Sequence, residues 1–131
     1  MRWRNIASMT VVLVFILSGP AVSQQWVDIK DPKELRTLHS NKTFKMTDDG
    51  VPVVEHYRVD GKGIVVYGEQ RRPITWEIKG NDQVCVSSQA GTTCWTFQHS
   101  KKNPEEYVRR GVVSGMPYMQ FFKIEDGIPQ F

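Results

Sequence analysis

The chain predicts a mainly β domain: an antiparallel meander, curved or closed into a small barrel, with one short helix near its start. Three observations carry this. From Thr43 onward, short apolar or alternating runs are parted by turn residues, among them Asp49-Gly50 and Asp60-Gly61. "ITWEIK" places Ile74, Trp76 and Ile78 on one face and Thr75, Glu77 and Lys79 on the other, the two-residue period of a half-buried strand. Two cysteines, Cys85 and Cys94, stand on the arms of a predicted hairpin.

Residues 1–23 precede this domain and have the layout of a secretory signal peptide. Arg2 and Arg4 are followed by a 12-residue apolar run, Ile6 to Leu17, and then by small residues with Ala21 and Ser23 at the −3 and −1 positions of a cut before Gln24. The run is shorter than the roughly 20 residues a spanning helix needs, so an uncleaved anchor is the lesser reading. The expected product is residues 24–131, one exported domain in a bacterial periplasm or outside the cell, with no stable membrane insertion after cleavage. The full chain has 17 basic and 14 acidic residues; losing Arg2 and Arg4 leaves 15 against 14. No basic block exceeds two residues, which speaks against nucleic acid as a partner.

The domain opens with a short extended piece, Trp26–Ile29. Asp31, Pro32 and Glu34 then supply an N-cap, a first-turn proline and a capping-box acid, and Leu35 and Leu38 share a face before Asn41. That is a helix of about two turns. Strands follow in "TFKMT", "VPVVEHYRV", "IVVY", "ITWEIK", "QVCVS" and "TTCWTFQ", with "GEQRRP" as a loop whose tip carries Arg71 and Arg72. "NPEEYVRRG" repeats the helix-start grammar through Asn103, Pro104 and Glu106, although a strand over Tyr107 to Val113 fits nearly as well. Tyr118–Ile124 is the last strand, apolar on both faces. Six to eight strands result.

Folding "QVCVSSQAGTTCWTFQ" about Gln89-Ala90 sets Cys85 opposite Cys94 and Val84 opposite Trp95. The cysteines then form a non-hydrogen-bonded pair with Cα atoms about 4.5 Å apart, within reach of a disulfide. A four-residue loop, using Gly91 in a left-handed conformation, also keeps them opposed. A redox pair needs two intervening residues at a helix start. A zinc site needs about four ligands, and the three histidines are not at ligand spacing. The cysteines are therefore a structural staple, worth roughly 2.5–3 kcal/mol for so short a loop, and no metal or other cofactor is expected.

No nucleophile elbow, metalloprotease helix, phosphate loop or calcium loop occurs. His39 at the helix end and His99 in a polar linker are expected at the solvated surface. Glu55 and His56 are neighbours on opposite faces and cannot act as a local acid–base pair, whereas Glu55 and Tyr57 share a face, expected to be half-buried. Asn41-Lys42-Thr43 matches a glycosylation acceptor, relevant to a eukaryotic source alone. Tyr57, Tyr67, Trp76, Trp95, Phe97 and Phe122 are aromatic residues of the strands. The first reading is a hydrophobic core, and the functional alternative is that some of them line a cup for an apolar or planar ligand. The ligand-binding candidates are Glu55, Tyr57, Tyr67, Arg71, Arg72 and Trp76, with the arginine pair as the anionic contact.

Residues 57–97, with Tyr57, Asp60-Gly61, Trp76, Cys85 and Cys94 in order, resemble small exported proteobacterial β-domain proteins of unknown function. The same Trp-strand and Asp-Gly features occur in lipocalin-like and other calycin barrels, although Pro73-Ile74-Thr75 stands here where such barrels carry a glycine before the tryptophan. The resemblance implies a periplasmic β-domain without assigned chemistry. The leading expectation is a non-enzymatic binding or accessory domain that engages a small apolar or planar ligand or an envelope protein. An inhibitor of a hydrolase such as lysozyme is the alternative, followed by an enzyme whose site, involving Glu55 or Glu77, is assembled from separate strands.

Overall fold

The computed structural model describes residues 25–131; the signal-peptide reading falls outside them. Nine strands and one helix follow in the order β1 (Trp26–Ile29), α1 (Pro32–His39), β2 (Lys42–Asp48), β3 (Val51–Tyr57), β4 (Lys62–Tyr67), β5 (Gln70–Lys79), β6 (Gln83–Ser88), β7 (Gly91–Ser100), β8 (Tyr107–Val113) and β9 (Met116–Asp126). Strands β2 to β9 pair antiparallel, each with the next, and β9 returns to β2, so the sheet closes into an eight-stranded barrel. Strand β1 is an extra piece: it pairs with Phe97–Ser100 of β7, on the edge that β6 leaves at Thr96. Closure removes the free edges of an open sheet.

Local chemistry explains most boundaries. The Asp31 carboxylate accepts from the Lys33 amide at 3.0 Å, capping α1 as expected. Asp49 and Gly50 both have positive φ, 49° and 79°, the conformation of a two-residue turn that matches the strand twist. Ile74 and Trp76 face inward, as their period requires, with Phe44, Val53, Tyr57, Val84, Trp95, Phe97 and Phe122. Helix α1 closes one end of the barrel, where Leu35 and His39 are completely buried.

Four expectations are corrected. "NPEEYVRRG" forms one turn, with the Glu106 amide donating to Asn103 O at 2.9 Å, and then strand β8. The capping grammar is local, whereas β7 and β9 each need the partner edge that β8 supplies. Arg71 and Arg72 lie in β5, since the turn is Gly68-Glu69 alone. Pro73 made this segment read as a loop, but a strand tolerates proline where no amide donor is needed. Pro73 stands in a non-hydrogen-bonded pair with Ile64, and on its other side β6 has already ended. His39 is a core residue, and His99 is half-buried in β7 with Nδ1 against Ser100 O at 3.0 Å.

Candidate ligand site at the open end of the barrel

The end opposite α1 is bounded by the turns at residues 49–50, 68–69, 89–90 and 114–115. A cavity of about 470 Å³ opens there. Val65, Ile74, Val86 and Val113 contribute its apolar wall, while Thr93, Ser88 and Arg72 add polar groups. Buried Trp95, Glu55 and Arg109 complete the lining at its inner side.

Glu55 and Arg109 form a two-pronged ion pair inside the barrel. Arg109 Nη1 donates to Glu55 Oε1 and Nη2 to Oε2, both at 2.7 Å. Arg109 Nε donates to Gln120 Oε1 at 2.8 Å, Nη2 also lies 3.4 Å from Met46 Sδ, and the guanidinium stacks 4.1 Å from the Trp95 ring centre. The Tyr57 hydroxyl donates to Glu55 Oε1. Burial by itself would raise the Glu55 carboxyl, but the charge and hydrogen bonds of Arg109, helped by Tyr57, outweigh it and hold the group below its ordinary range. Burial, and then the Glu55 charge, push the Tyr57 hydroxyl far up, so it stays protonated. Gly111 makes the stacking possible: a Cβ there would stand 2.9 Å from the Trp95 ring and 2.8 Å from Cys94 O.

The expected site residues divide between the two ends. Glu55 and Tyr57 share the interior face, fully buried rather than half-exposed. Glu55 lines the cavity, whereas the Tyr57 ring packs deeper, 4.9 Å from His39. Trp76 belongs to the closed end, where it stacks on His39 at 5.3 Å and donates from Nε1 to Arg58 O at 2.8 Å. Tyr67 sits at the rim, 40% exposed, with its hydroxyl donating to Asp48 Oδ2 at 3.1 Å. Arg72 shares the inward parity of Ile74 and lines the cavity, and Arg71 takes the outer face. Trp95, one of the strand aromatics weighed for a cup, does line the cavity, whereas Arg109 and Thr93 were missed. The signal for Arg109 was its period-2 spacing from Tyr107 and Gly111, obscured by the helix-start grammar before it.

The hairpin behaves as its register requires. Cys85 faces Cys94 and the two are bonded, with Cα atoms 3.9 Å apart, closer than the expected value. The turn is the two-residue form, Gln89-Ala90. The chain matches no family model, no curated protein and no solved structure. Among the described residues, no three His, Cys, Asp or Glu side chains are grouped to hold a metal.

Proposed function

We propose that this protein is a non-enzymatic binding barrel that takes a small amphipathic ligand, apolar body inward and anionic head toward Arg72, at its open end. The observation that carries the reading is the apolar-walled cavity with Arg72 at it, a cation that has no ion pair among the described residues. Clefts of a few hundred cubic ångströms with apolar walls and a few placed polar groups are the usual form of small-molecule sites. Glu55, Tyr57 and Arg109 satisfy one another, which favours a rigid inner wall over acid–base work. Export to an oxidising compartment is part of the proposal, and the Cys85–Cys94 bond supports it.

The test is a tryptophan-fluorescence titration with decanoate, decanol and decyltrimethylammonium. Decanoate should bind most tightly, and Arg72→Ala should lower its affinity about tenfold, the scale of one lost charge-assisted hydrogen bond, while leaving decanol unchanged. Trp95→Phe should abolish most of the signal, and Trp76→Phe should keep it. Equal affinity for all three probes, or a signal that follows Trp76, would refute the proposed site.

A further inference from the structure

The barrel wall is incomplete along one line. The β2–β9 ladder has four rungs, from Lys42–Asp126 to Lys45–Lys123, and stops there. Every other neighbouring pair of barrel strands is laddered over at least five. Beyond Lys45–Lys123 a groove of about 580 Å³ lies between β2 and β9. Inward-facing Met46, Gln120 and Phe122 line it beside outward-facing Thr47 and Phe121. A dent in the surface would be lined by outward positions alone, because neighbours along a strand point to opposite faces. This groove is a slot through the wall. Asp48 and Glu106 line it together with Lys45 and Lys123, and Lys45 is paired with Glu125 at 3.1 Å, so its charge selects no occupant.

Slot and cavity share a partition. Arg109 lines the cavity, and two slot residues hold it: Gln120 Oε1 accepts from its Nε at 2.8 Å, and Met46 Sδ lies 3.4 Å from its Nη2. An unbranched methionine side chain with three rotatable bonds moves aside readily. At the rim the slot is crossed once. Among the described residues, the one direct side-chain hydrogen bond between the two strands beyond Lys45–Lys123 runs from the Tyr118 hydroxyl to Asp48 Oδ1. Asp48 Oδ2 accepts from Tyr67, on the side where β2, β3 and β4 are joined by continuous ladders.

We propose that this slot is a side entrance to the barrel interior and that the Tyr118–Asp48 bond is its latch. With the latch released, β2 and β9 part through the last two rungs of their ladder. The apolar body of a ligand then passes Phe122 and Met46 to reach the cavity beside Arg109. Parting any other pair of barrel strands would break a longer ladder, whereas here the wall is already open beyond one hydrogen bond. The entrance rests on the reading of the cavity as a ligand site; the latch does not.

The experiment uses Tyr118→Phe, which keeps the ring beside Trp95 and removes the hydroxyl alone. In the ligand-free protein, backbone amides of the Phe44–Ile124 and Lys45–Lys123 rungs should exchange with deuterium about fivefold faster than in wild type. That is the factor for one ordinary hydrogen bond. The β3–β4 ladder should not change, and Tyr67→Phe should leave the exchange of both rungs as in wild type. Stopped-flow mixing with decanoate, followed by tryptophan fluorescence, should then show association and dissociation of Tyr118→Phe both accelerated about fivefold at an unchanged Kd. A latch acts on the path and not on the bound state. Unchanged exchange in Tyr118→Phe, or the same change in Tyr67→Phe, would overturn the latch. Faster exchange with unchanged decanoate rates would overturn the entrance while leaving the cavity reading intact. Absence of decanoate binding in the equilibrium titration would instead sink the cavity reading and the entrance with it, and the exchange would still decide the latch.

Discussion

At the scale of single residues, the interior is decided by two polar groups placed among aromatic rings. Arg109 and Glu55 satisfy each other's charge, so removing either alone would leave an uncompensated ion in a dry interior, a change of about 3–5 kcal/mol. His39 is the harder case. Its Nδ1 donates to Leu35 O at 2.9 Å, while Nε2 is buried without a partner among Phe44, Tyr57, Trp76 and Phe97. Burial lowers its pKa to about 4, a direction that the Arg109 charge reinforces and that the Leu35 bond and the Glu55 charge oppose. The unfolded chain takes up this proton near pH 6.5 and the folded protein only near 4, so stability is lost as pH falls through that window. The loss amounts to roughly 3 kcal/mol by pH 4. Urea unfolding at pH 7, 5.5 and 4 should show it, and His39→Phe should remove most of the slope. A remainder belongs to His56, whose pKa is lowered by its partial burial and by Arg71 and Lys45, and, near pH 4, to Glu55, whose carboxyl is held below its ordinary range, against the effect of burial, mainly by Arg109.

Among the elements, the β6–β7 hairpin and helix α1 were legible because their chemistry is local. Asp31 and Pro32 mark the helix start without reference to the rest of the chain. The cysteine register follows from the turn, since closing the hairpin at Gln89-Ala90 determines every pair behind it. Reduction of the Cys85–Cys94 bond should therefore leave the barrel folded but lower its unfolding free energy by roughly 2.5–3 kcal/mol, through loop entropy alone. Denaturant unfolding with and without dithiothreitol measures this, and an unchanged midpoint would show that the hairpin holds without its bond. Strands β5 and β8 were less legible. Pro73 is harmless only because β6 ends before it, and the segment after Pro104 is a strand only because two other strands lie on either side. Neither condition can be read within the segment itself.

For the whole molecule, closure is the decisive event, and its weakest line is where β9 meets β2. That ladder joins only Lys42–Lys45 to Lys123–Asp126, whereas β8 and β9 pair over seven residues. Beyond it the Tyr118 hydroxyl donates to Asp48 across the gap. Backbone amides of Met46–Asp48 and Tyr118–Phe122 that face this seam should exchange with deuterium faster than those of the β3–β4 ladder, because local opening there breaks fewer bonds. Site-resolved hydrogen exchange checks it, and uniform protection around the barrel would refute it. By itself the sequence determined the β class, the short capped helix, the Asp49-Gly50 and Gln89-Ala90 turns and the cysteine pairing, because each depends on residues near one another in the chain. Only the tertiary structure decided that the meander closes, that Arg109 meets Glu55 across 54 positions, that His39 lies in the core and that Trp76 and Arg72 belong to opposite ends. Those outcomes depend on which strand edges find partners and which end the helix covers, and such non-local geometry has no signature in any single segment.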